Sequence, residues 1–159
     1  MELNLKQGGQ KMSVDVKKIS HLDISKQNEA GALSNALRKR HWFDLPGAAA
    51  ENFDSEAYEG DRGAMFTAEK GGGVAGFLAL TTSQEDNTGV IKVLRAEMRD
   101  PEIVRSLLQQ AMRELTDKGI STVTVKISEE MKSIEHVFEE FHFHREGEED
   151  GRTILRANL

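Results

Sequence analysis

The sequence predicts an α/β fold in which a mixed, mostly antiparallel sheet carries helices on both faces. Strand-like runs cluster in the middle and at the end of the chain, while apolar residues at three- and four-residue spacing mark helices before, between and after them. A chain of 159 residues suits one domain. We place that domain at residues 13–159, after a polar, flexible N-terminal arm at residues 1–12.

The first half of the chain predicts one strand followed by two helices. Apolar residues alternate over residues 14–19, which indicates the strand. Ser25 is a candidate N-cap for a helix over residues 25–40. The turn signal Asp44-Leu45-Pro46-Gly47 separates that helix from a second one over residues 48–58.

The middle of the chain predicts antiparallel strands. Residues 64–69 and 74–82 flank Lys70-Gly71-Gly72-Gly73, a hairpin connection whose glycines tolerate positive φ. A further turn over residues 84–89 leads into a strand over residues 90–96.

The strongest helix signal begins after residue 99. Asp100 is the N-cap, Pro101 the first helical residue, and Glu102 lies beside the positive end of the helix dipole. Gly119 is the expected stop. The predicted buried face comprises Ile103, Val104, Leu107, Leu108, Ala111, Met112 and Leu115.

The last part of the chain predicts a strand, a helix and a hairpin. Residues 121–127 alternate between apolar and polar, as in a half-buried strand. Ser128 is a candidate cap for a helix with the apolar stripe Ile134, Val137, Phe138 and Phe141. Residues 142–146 and 153–156 form a hairpin around Asp150-Gly151. Its terminal edge strand is open to pairing, so a homodimer is one arrangement that the sequence allows.

The composition excludes several classes of protein. The absence of cysteine rules out disulfides, thiolate metal sites and a cysteine nucleophile, and fits a reducing, cytoplasmic location. No apolar run approaches the ~18 residues of a membrane-spanning helix. A net charge of −6 opposes binding to nucleic-acid phosphates. We therefore expect neither a membrane nor a nucleic acid as partner.

Three segments together carry a family resemblance. Residues 73–80 (GVAGFLAL) look like a G-x-x-x-G-F/Y strand, residues 90–94 like a central strand, and residues 138–143 (FEEFHF) like a closing Y-E-x-x-G-F run. With the order of elements, they make residues 14–157 resemble the GNAT acyltransferase superfamily. The resemblance implies an acyl-CoA-dependent N-acyltransferase that uses acetyl-CoA and modifies a small-molecule or protein amine.

The resemblance also implies where the cofactor and the base lie. The pantetheine arm is expected to pair with the backbone of Val93 and Leu94 as an additional strand. Glu97, just past the central strand, is the candidate base that deprotonates the amine. The residues implied at the phosphate groups are Arg99, Glu102, Ile103, Val104 and Arg105.

The phosphate-binding loop departs from the family pattern R/Q-x-x-G-x-G/A, which falls on residues 99–104. Both glycine positions are occupied, by Glu102 and Val104. A helix N-terminus binds anions through free amides, but Asp100 is expected to cap those amides itself and adds negative charge. Arg95 and the arginines that follow offset part of that charge.

Two positions that the resemblance implies are catalytic also differ from the family pattern. Phe138 replaces the tyrosine that protonates the leaving thiolate in many members, and Met131 replaces a common asparagine. These losses favour an alternative, a catalytically degenerate GNAT-fold binding or interaction module. A bulge that opens the strand at residues 93–95 would favour the enzyme. A closed strand pair and an Asp100 side chain that caps its own helix would favour the module.

Two weaker patterns remain open. Trp42 and Phe43 follow the basic run at residues 38–41 and are candidates for one wall of the acceptor site; ordinary packing is the alternative. The acidic residues near the C-terminus (Glu139, Glu140 and residues 146–150) indicate solvated surface or, alternatively, attraction of a cationic amine.

His136, His142 and His144 lie close in sequence. His142 and His144 are expected on one strand face, where a nearby carboxylate would complete a zinc or nickel site. The change from helix to strand between His136 and His142 opposes that convergence, so we predict no metal. A histidine base near the cofactor thiol is a further alternative.

Overall fold

The computed structural model describes residues 13–20, 43–44, 58–97 and 100–159, and of residues 43–44 the backbone alone. The predicted arm and the helices predicted at residues 25–40 and 48–58 lie outside the described residues, apart from Tyr58. In chain order the described strands and α-helices are β1 (Asp15–Ile19), β2 (Phe43–Asp44), β3 (Gly63–Lys70), β4 (Gly73–Ser83), β5 (Thr88–Ala96), α1 (Pro101–Asp117), β6 (Thr122–Ile127), α2 (Glu135–Glu140), β7 (His144–Glu149) and β8 (Arg152–Asn158).

One mixed sheet organises these elements. Seven strands follow each other in the order β1-β3-β4-β5-β6-β8-β7, and the short strand β2 pairs separately with β5. The pair β5–β6 is parallel, and the other pairs are antiparallel. The predicted α/β fold with a mixed, mostly antiparallel sheet is therefore confirmed.

The hairpin connections follow the glycine pattern of the sequence. Gly71 and Gly72 have φ values of 64° and 83° between β3 and β4. Asp150 and Gly151 have φ values of 53° and 77° between β7 and β8. Positive φ at both central residues is the geometry whose twist matches a tight hairpin. Both predicted turns are confirmed.

Helix α1 lies close to the sheet because Gly76 has no side chain. A Cβ atom at Gly76 would lie 2.6 Å from Cγ2 of Ile103. The helix ends as predicted: Gly119 has φ 78° and its amide donates to the Thr116 carbonyl at 3.0 Å. Its fully buried side chains are Ile103, Val104, Leu107, Leu108, Ala111 and Leu115, which leaves Met112 of the predicted face only partly buried.

The two faces of β4 and β5 pack into two different buried clusters. Leu78, Leu80 and Leu94 belong to the larger cluster, which includes the apolar residues of both α1 and α2. The smaller cluster contains Met65, Phe77, Ala79 and Val93. Successive residues of a strand point to opposite faces, so the central strands are buried on both sides.

The region after β6 differs from the prediction in two details. Ser128 does not cap an α-helix; a 3₁₀ turn over Glu129–Ile134 intervenes, and the buried Ser128 hydroxyl has no hydrogen-bond partner. His142 is not in a strand, because its φ of 70° belongs to the turn after α2. Strand β7 begins only at His144, so His142 and His144 do not share a strand face.

Strand β7 is the outer strand of the sheet at the C-terminal side. All six of its residues are exposed, most of them are charged, and Glu146 forms a bulge opposite β8. Charge and bulges are the means by which edge strands avoid pairing with other chains. The homodimer stays a prediction.

Candidate functional site

Strands β5 and β6 separate after a short ladder. Their parallel pairing runs from Thr88 opposite Thr122 to Val90 opposite Thr124. Strand β5 then continues to Ala96 and β6 to Ile127 without further pairing to each other. We call the gap between residues 91–94 of β5 and residues 125–127 of β6 the strand opening.

A β-bulge at Lys92 lies directly beyond the end of that ladder. Leu80 of β4 pairs with Ile91 and Ala79 pairs with Val93, which leaves Lys92 as the extra residue. A bulge bends its strand and increases the local twist, so it accounts for the departure of β5 from β6. A bulge at residues 93–95 was the observation that would favour the enzyme over the binding module, and this bulge lies one residue before that range.

The strand opening presents backbone rather than side chains on its β5 side. Val93 and Leu94 are 4% and 0% exposed, and they belong to different buried clusters. Within the described ranges, no strand pairs with residues 91–94 on the edge that faces β6. This edge therefore offers hydrogen-bonding groups to an extended ligand.

The start of α1 is capped by its own chain. Oδ1 of Asp100 accepts a hydrogen bond from the Glu102 amide at 2.9 Å. The Asp100 carbonyl accepts from the amides of Ile103 and Val104 at 3.2 and 3.4 Å. The self-capped helix predicted from the sequence is confirmed, and an anion that binds here has to replace the Asp100 carboxylate.

Lys70 holds the Asp100 carboxylate in place, with Nζ 2.8 Å from Oδ2. Burial opposes ionisation of this carboxyl, but the hydrogen bond and charge of Lys70 and the amides of Glu102 and Ile103 outweigh it. The pKa of Asp100 is therefore lowered from its usual value. Asp100 is an anion at neutral pH, where a bound phosphate group would also be negative.

Arg105 is paired with two carboxylates. Its guanidinium donates to Glu140 at 2.7 and 2.9 Å and to Glu102 at 2.8 Å. The hydrogen bonds that Arg105 donates to Glu140 and Glu102 raise the pKa of Arg105, and the bond that Glu140 accepts lowers the pKa of Glu140. A phosphate contact by Arg105 has to compete with these pairs.

The structure describes some of the other predicted site residues and not others. Glu97 follows β5, is half-buried, and accepts a hydrogen bond from the Asp100 amide through its carbonyl at 3.2 Å. Arg99 and Trp42 lie outside the described residues. The backbone of Phe43 pairs with Ala96, at the end of β5.

The two positions at which the GNAT resemblance implies a tyrosine and an asparagine carry no polar group. Phe138 is fully buried, and its ring meets that of Phe143 edge to face at a centroid distance of 5.5 Å and an angle of 87°. Met131 is also fully buried. Phe138 is therefore a core residue, as its place on the apolar stripe of the predicted helix indicates.

Three of the acidic residues near the C-terminus, Glu140, Glu146 and Glu149, form ion pairs with neighbouring cations. Glu146 lies 2.8 Å from Arg156, and Glu149 lies 2.6 Å from Lys126. Together with the Arg105 pair, these contacts favour the interpretation as charged surface. In the part of the chain that the structure describes, no three histidine or acidic side chains converge as metal ligands.

Sequence reasoning missed the two ion pairs at the start of α1. Lys70 and Asp100 are 30 residues apart, and Arg105 and Glu140 are 35 apart. Each pair joins separate elements, so no local pattern indicates it. Lys70 is therefore an additional cation of the candidate site.

Several solved structures with a similar fold are acetyltransferases. A GNAT-family acetyltransferase from Streptococcus pneumoniae is 14% identical with a TM-score of 0.67, covering 92% of this chain and 100% of that chain. The ribosomal-protein-S18-alanine N-acetyltransferase from Escherichia coli is 12% identical, with a TM-score of 0.64 and coverage of 92% and 94%. PaiA N-acetyltransferase from Thermoplasma acidophilum, solved in complex with coenzyme A, is 15% identical, with a TM-score of 0.62 and coverage of 93% and 100%.

Sequence comparison gives no closer assignment, since neither a protein-family model nor a curated protein sequence matches this chain. Among the described helices, none has the length and apolar character needed to cross a membrane. The order of the described strands, the parallel pair β5–β6 and the structural matches agree. The chain has the fold of the GNAT acetyltransferases.

Proposed function

We propose that this protein is an acyl-CoA-dependent N-acyltransferase that transfers an acetyl group to an amine. The observation that carries the proposal is the strand opening, where β5 leaves β6 after Val90. A closed sheet would leave no backbone edge at this place. The fold shared with known acetyltransferases supports the same reaction class.

The strand opening fits the extended, amide-containing arm of coenzyme A. An extended ligand binds a sheet by adding a strand, and main-chain hydrogen bonds then supply affinity. The backbone of Val93 and Leu94 is the edge proposed for that pairing, beside the bulge at Lys92. The solved complex of a similar fold with coenzyme A supports this choice of ligand.

The phosphate end fits only after an exchange of partners. The amides of Glu102, Ile103 and Val104 already bond to Asp100. Of these three, the Glu102 amide bonds to the carboxylate, and the other two bond to the Asp100 backbone carbonyl. A phosphate group that replaces the Asp100 carboxylate therefore gains the Glu102 amide and the Lys70 ammonium. Arg99 and Arg105 remain the proposed arginine contacts, the latter after release from its carboxylates.

The chain contributes positioning and one candidate base. A bound acyl-CoA supplies an activated acyl thioester. Glu97, at the end of the strand that lines the opening, accepts a proton from the incoming ammonium group and leaves a nucleophilic amine. Phe138 has no proton to donate, so the reaction depends mainly on holding both reactants in contact.

Binding and turnover test the proposal separately. Acetyl-CoA at 100 times its dissociation constant should stabilise the protein by about 2.7 kcal/mol, measured as a thermal shift and by calorimetry. Turnover is measured as free thiol released in the presence of primary amines, amino acids and peptide N-termini. No stabilisation with acetyl-, propionyl- or succinyl-CoA would exclude the enzyme.

A variant of the candidate base sharpens the turnover assay. Glu97→Gln should lower kcat by roughly 10²–10⁴-fold, the usual contribution of a general base, and leave acetyl-CoA affinity unchanged. The matched control is Glu85→Gln, an exposed position in the turn before β5, which should retain full turnover. Equal activity of both variants would remove Glu97 from the mechanism.

A second function, a binding module without catalysis, is favoured by the Asp100 cap. A self-capped helix start with paired cations is a complete structure without any ligand. For a binding module without catalysis, we expect neither a thermal shift with acyl-CoA nor release of free thiol. The same assays therefore distinguish the two functions.

A further inference from the structure

Strand β2 lies at the wide end of the strand opening. Its two residues, Phe43 and Asp44, pair antiparallel with Ala96 and Arg95 of β5. Strand β4 occupies the other edge of β5 at the same residues, since Gly76 pairs with Ala96. Strand β2 is therefore on the edge that faces β6.

The same short strand reaches towards the other side of the opening. It contacts the 3₁₀ turn Glu129–Ile134, which follows directly after β6. The opening is thus closed at its narrow end by the pairing of Val90 with Thr124 and bridged at its wide end by β2. Within the described chain, the free edge of β5 is limited to residues 91–94.

This arrangement conflicts with an extended ligand that reaches the start of α1. A ligand paired with Val93 and Leu94 has to continue past Arg95 and Ala96 to approach Asp100. Those residues already pair with β2 on the required edge. One backbone edge serves one strand at a time.

We propose that β2 is a displaceable strap that controls access to the strand opening. The proposal rests on the acyl-CoA site proposed above and concerns its regulation. In the strapped state, Phe43–Asp44 holds the edge at residues 95–96. In the open state that edge is released, and the acyl-CoA arm takes its place. The chain therefore exists in a resting form that excludes the ligand and a form that binds it.

The size of the effect follows from a population argument. When only a fraction of the molecules is in the open state that binds acyl-CoA, the apparent dissociation constant for acyl-CoA is the intrinsic one divided by that fraction. A two-residue pairing contributes only a few backbone hydrogen bonds, each of modest net strength. We therefore expect the strap to weaken acyl-CoA binding by roughly tenfold, an amount that a partner or substrate can overcome.

A reversible disulfide tests the strap directly, because the chain contains no cysteine. Phe43 and Ala96 are direct cross-strand partners, and such partners lie within the Cα distance that a disulfide spans. The double variant Phe43→Cys with Ala96→Cys is measured oxidised and reduced by calorimetry with acetyl-CoA. The oxidised form should bind at least tenfold more weakly than the reduced form, and dithiothreitol should restore binding.

The control crosslinks a strand pair remote from the opening. Asp15 and Glu69 are direct partners between β1 and β3, so Asp15→Cys with Glu69→Cys should bind acetyl-CoA equally when oxidised and reduced. Both single variants of Phe43 and Ala96 report any effect of the substitutions alone. Amide exchange at Ala96 supplies a readout besides affinity, since ligand binding should disturb its pairing with β2 in the uncrosslinked protein.

The outcomes separate the strap from the proposed function. Equal acetyl-CoA binding by the oxidised and reduced Phe43–Ala96 variant would contradict the strap proposal but not the proposed enzyme function. A release variant, Asp44→Pro, should bind at least as tightly as the unchanged protein. If the unchanged protein, the reduced variant and the release variant all fail to bind acyl-CoA, the proposed function fails and the strap fails with it.

Discussion

The ammonium group of Lys70 lies 2.8 Å from the carboxylate of Asp100, across the junction between the end of β3 and the start of α1. The same carboxylate accepts the Glu102 amide at 2.9 Å. Asp100 therefore fixes the helix to the sheet and satisfies the amide that an anionic ligand would use. Stability of the fold and affinity for a phosphate group are opposed at this one residue.

Replacement of Asp100 should change stability and ligand affinity in opposite directions. Asp100→Ala removes the cap and should lower the free energy of unfolding by about 1 kcal/mol, measured by urea denaturation. It should also strengthen acetyl-CoA binding by roughly threefold to tenfold, because a negative charge near the positive end of the helix is removed. Calorimetry measures the affinity.

Two variants serve as controls for Asp100. Asp100→Asn retains a capping side chain and removes the charge, so it should be more stable than Asp100→Ala and still bind acetyl-CoA more tightly than the unchanged protein. Asp86→Asn removes one charge from an exposed turn and should change neither quantity. Weaker acetyl-CoA binding by both Asp100 variants would contradict the proposed competition.

Gly76 should not tolerate even a methyl group. A Cβ atom there would lie 2.6 Å from Cγ2 of Ile103 and 3.1 Å from Cδ1 of Leu107, and it would also approach the Arg95 carbonyl at 3.0 Å. Gly76→Ala should therefore lower the free energy of unfolding by about 1–3 kcal/mol, the usual cost of overpacking. Urea denaturation measures it.

Gly73→Ala is the matched control, because a Cβ atom at Gly73 meets nothing within 4 Å. It should change the free energy of unfolding by less than about 0.5 kcal/mol. Equal destabilisation by the two variants would show that the position in the strand, and not the contact with α1, sets the cost.

Local signals were sufficient to predict the elements that depend on neighbours in sequence. The cap at Asp100, the stop at Gly119 and the turn at Gly71-Gly72 each follow from residue types within a few positions. Capping and positive φ are properties of short segments, so one sequence is enough to recognise them. The fold class followed from the order of these segments and was confirmed by the sheet.

The site was less predictable because it depends on contacts between distant segments. In the sequence, Lys92 has the pattern of an ordinary polar residue of a strand. The register between β4 and β5 is needed to recognise it as the extra residue of a bulge. Arg105, a predicted phosphate contact, is already paired with Glu140. This pair joins α1 to α2, so no local sequence pattern indicates it. Phosphate roles for Arg99 and Arg105 and the base role of Glu97 stay predictions.

Acid should destabilise the protein through Glu135. The hydrogen bond from Arg145 outweighs burial and lowers the pKa of Glu135 below its usual value of 4.5. Because the folded-state pKa is below the unfolded one, this stabilisation is complete above the unfolded pKa and is lost as the pH falls through the folded one. Urea denaturation should show stability that is level near pH 7 and declines below about pH 4.5.

Glu135→Gln should make that decline shallower, because glutamine does not titrate. Its matched control is Glu130→Gln, an exposed residue of the preceding 3₁₀ turn, which should leave the decline unchanged. The variant Glu135→Gln should also be less stable at pH 7, since the two hydrogen bonds with Arg145 at 2.8 and 3.0 Å lose their charged acceptor. An unchanged pH profile in Glu135→Gln would assign the acid sensitivity to other carboxylates.

Glycine at position 142 should stabilise the protein. His142 has φ 70° after α2, and its amide donates to the Glu139 carbonyl at 3.0 Å while the Phe143 amide donates to Phe138 at 3.2 Å. This is the helix-ending geometry in which glycine is preferred, because a Cβ atom is costly in the left-handed region. His142→Gly should raise the free energy of unfolding by about 1 kcal/mol and Tm by roughly 2–4 °C.

Two further variants distinguish backbone strain from loss of the imidazole. His142→Ala also removes the ring but keeps a Cβ atom at positive φ, so it should not stabilise the protein. His144→Gly, in the exposed strand β7, should destabilise it by roughly 0.5–1 kcal/mol, the usual cost of glycine inside a strand. Equal gains from His142→Gly and His142→Ala would attribute the effect to the side chain, and a loss of stability in His142→Gly would mean that the imidazole contributes more than the left-handed backbone costs.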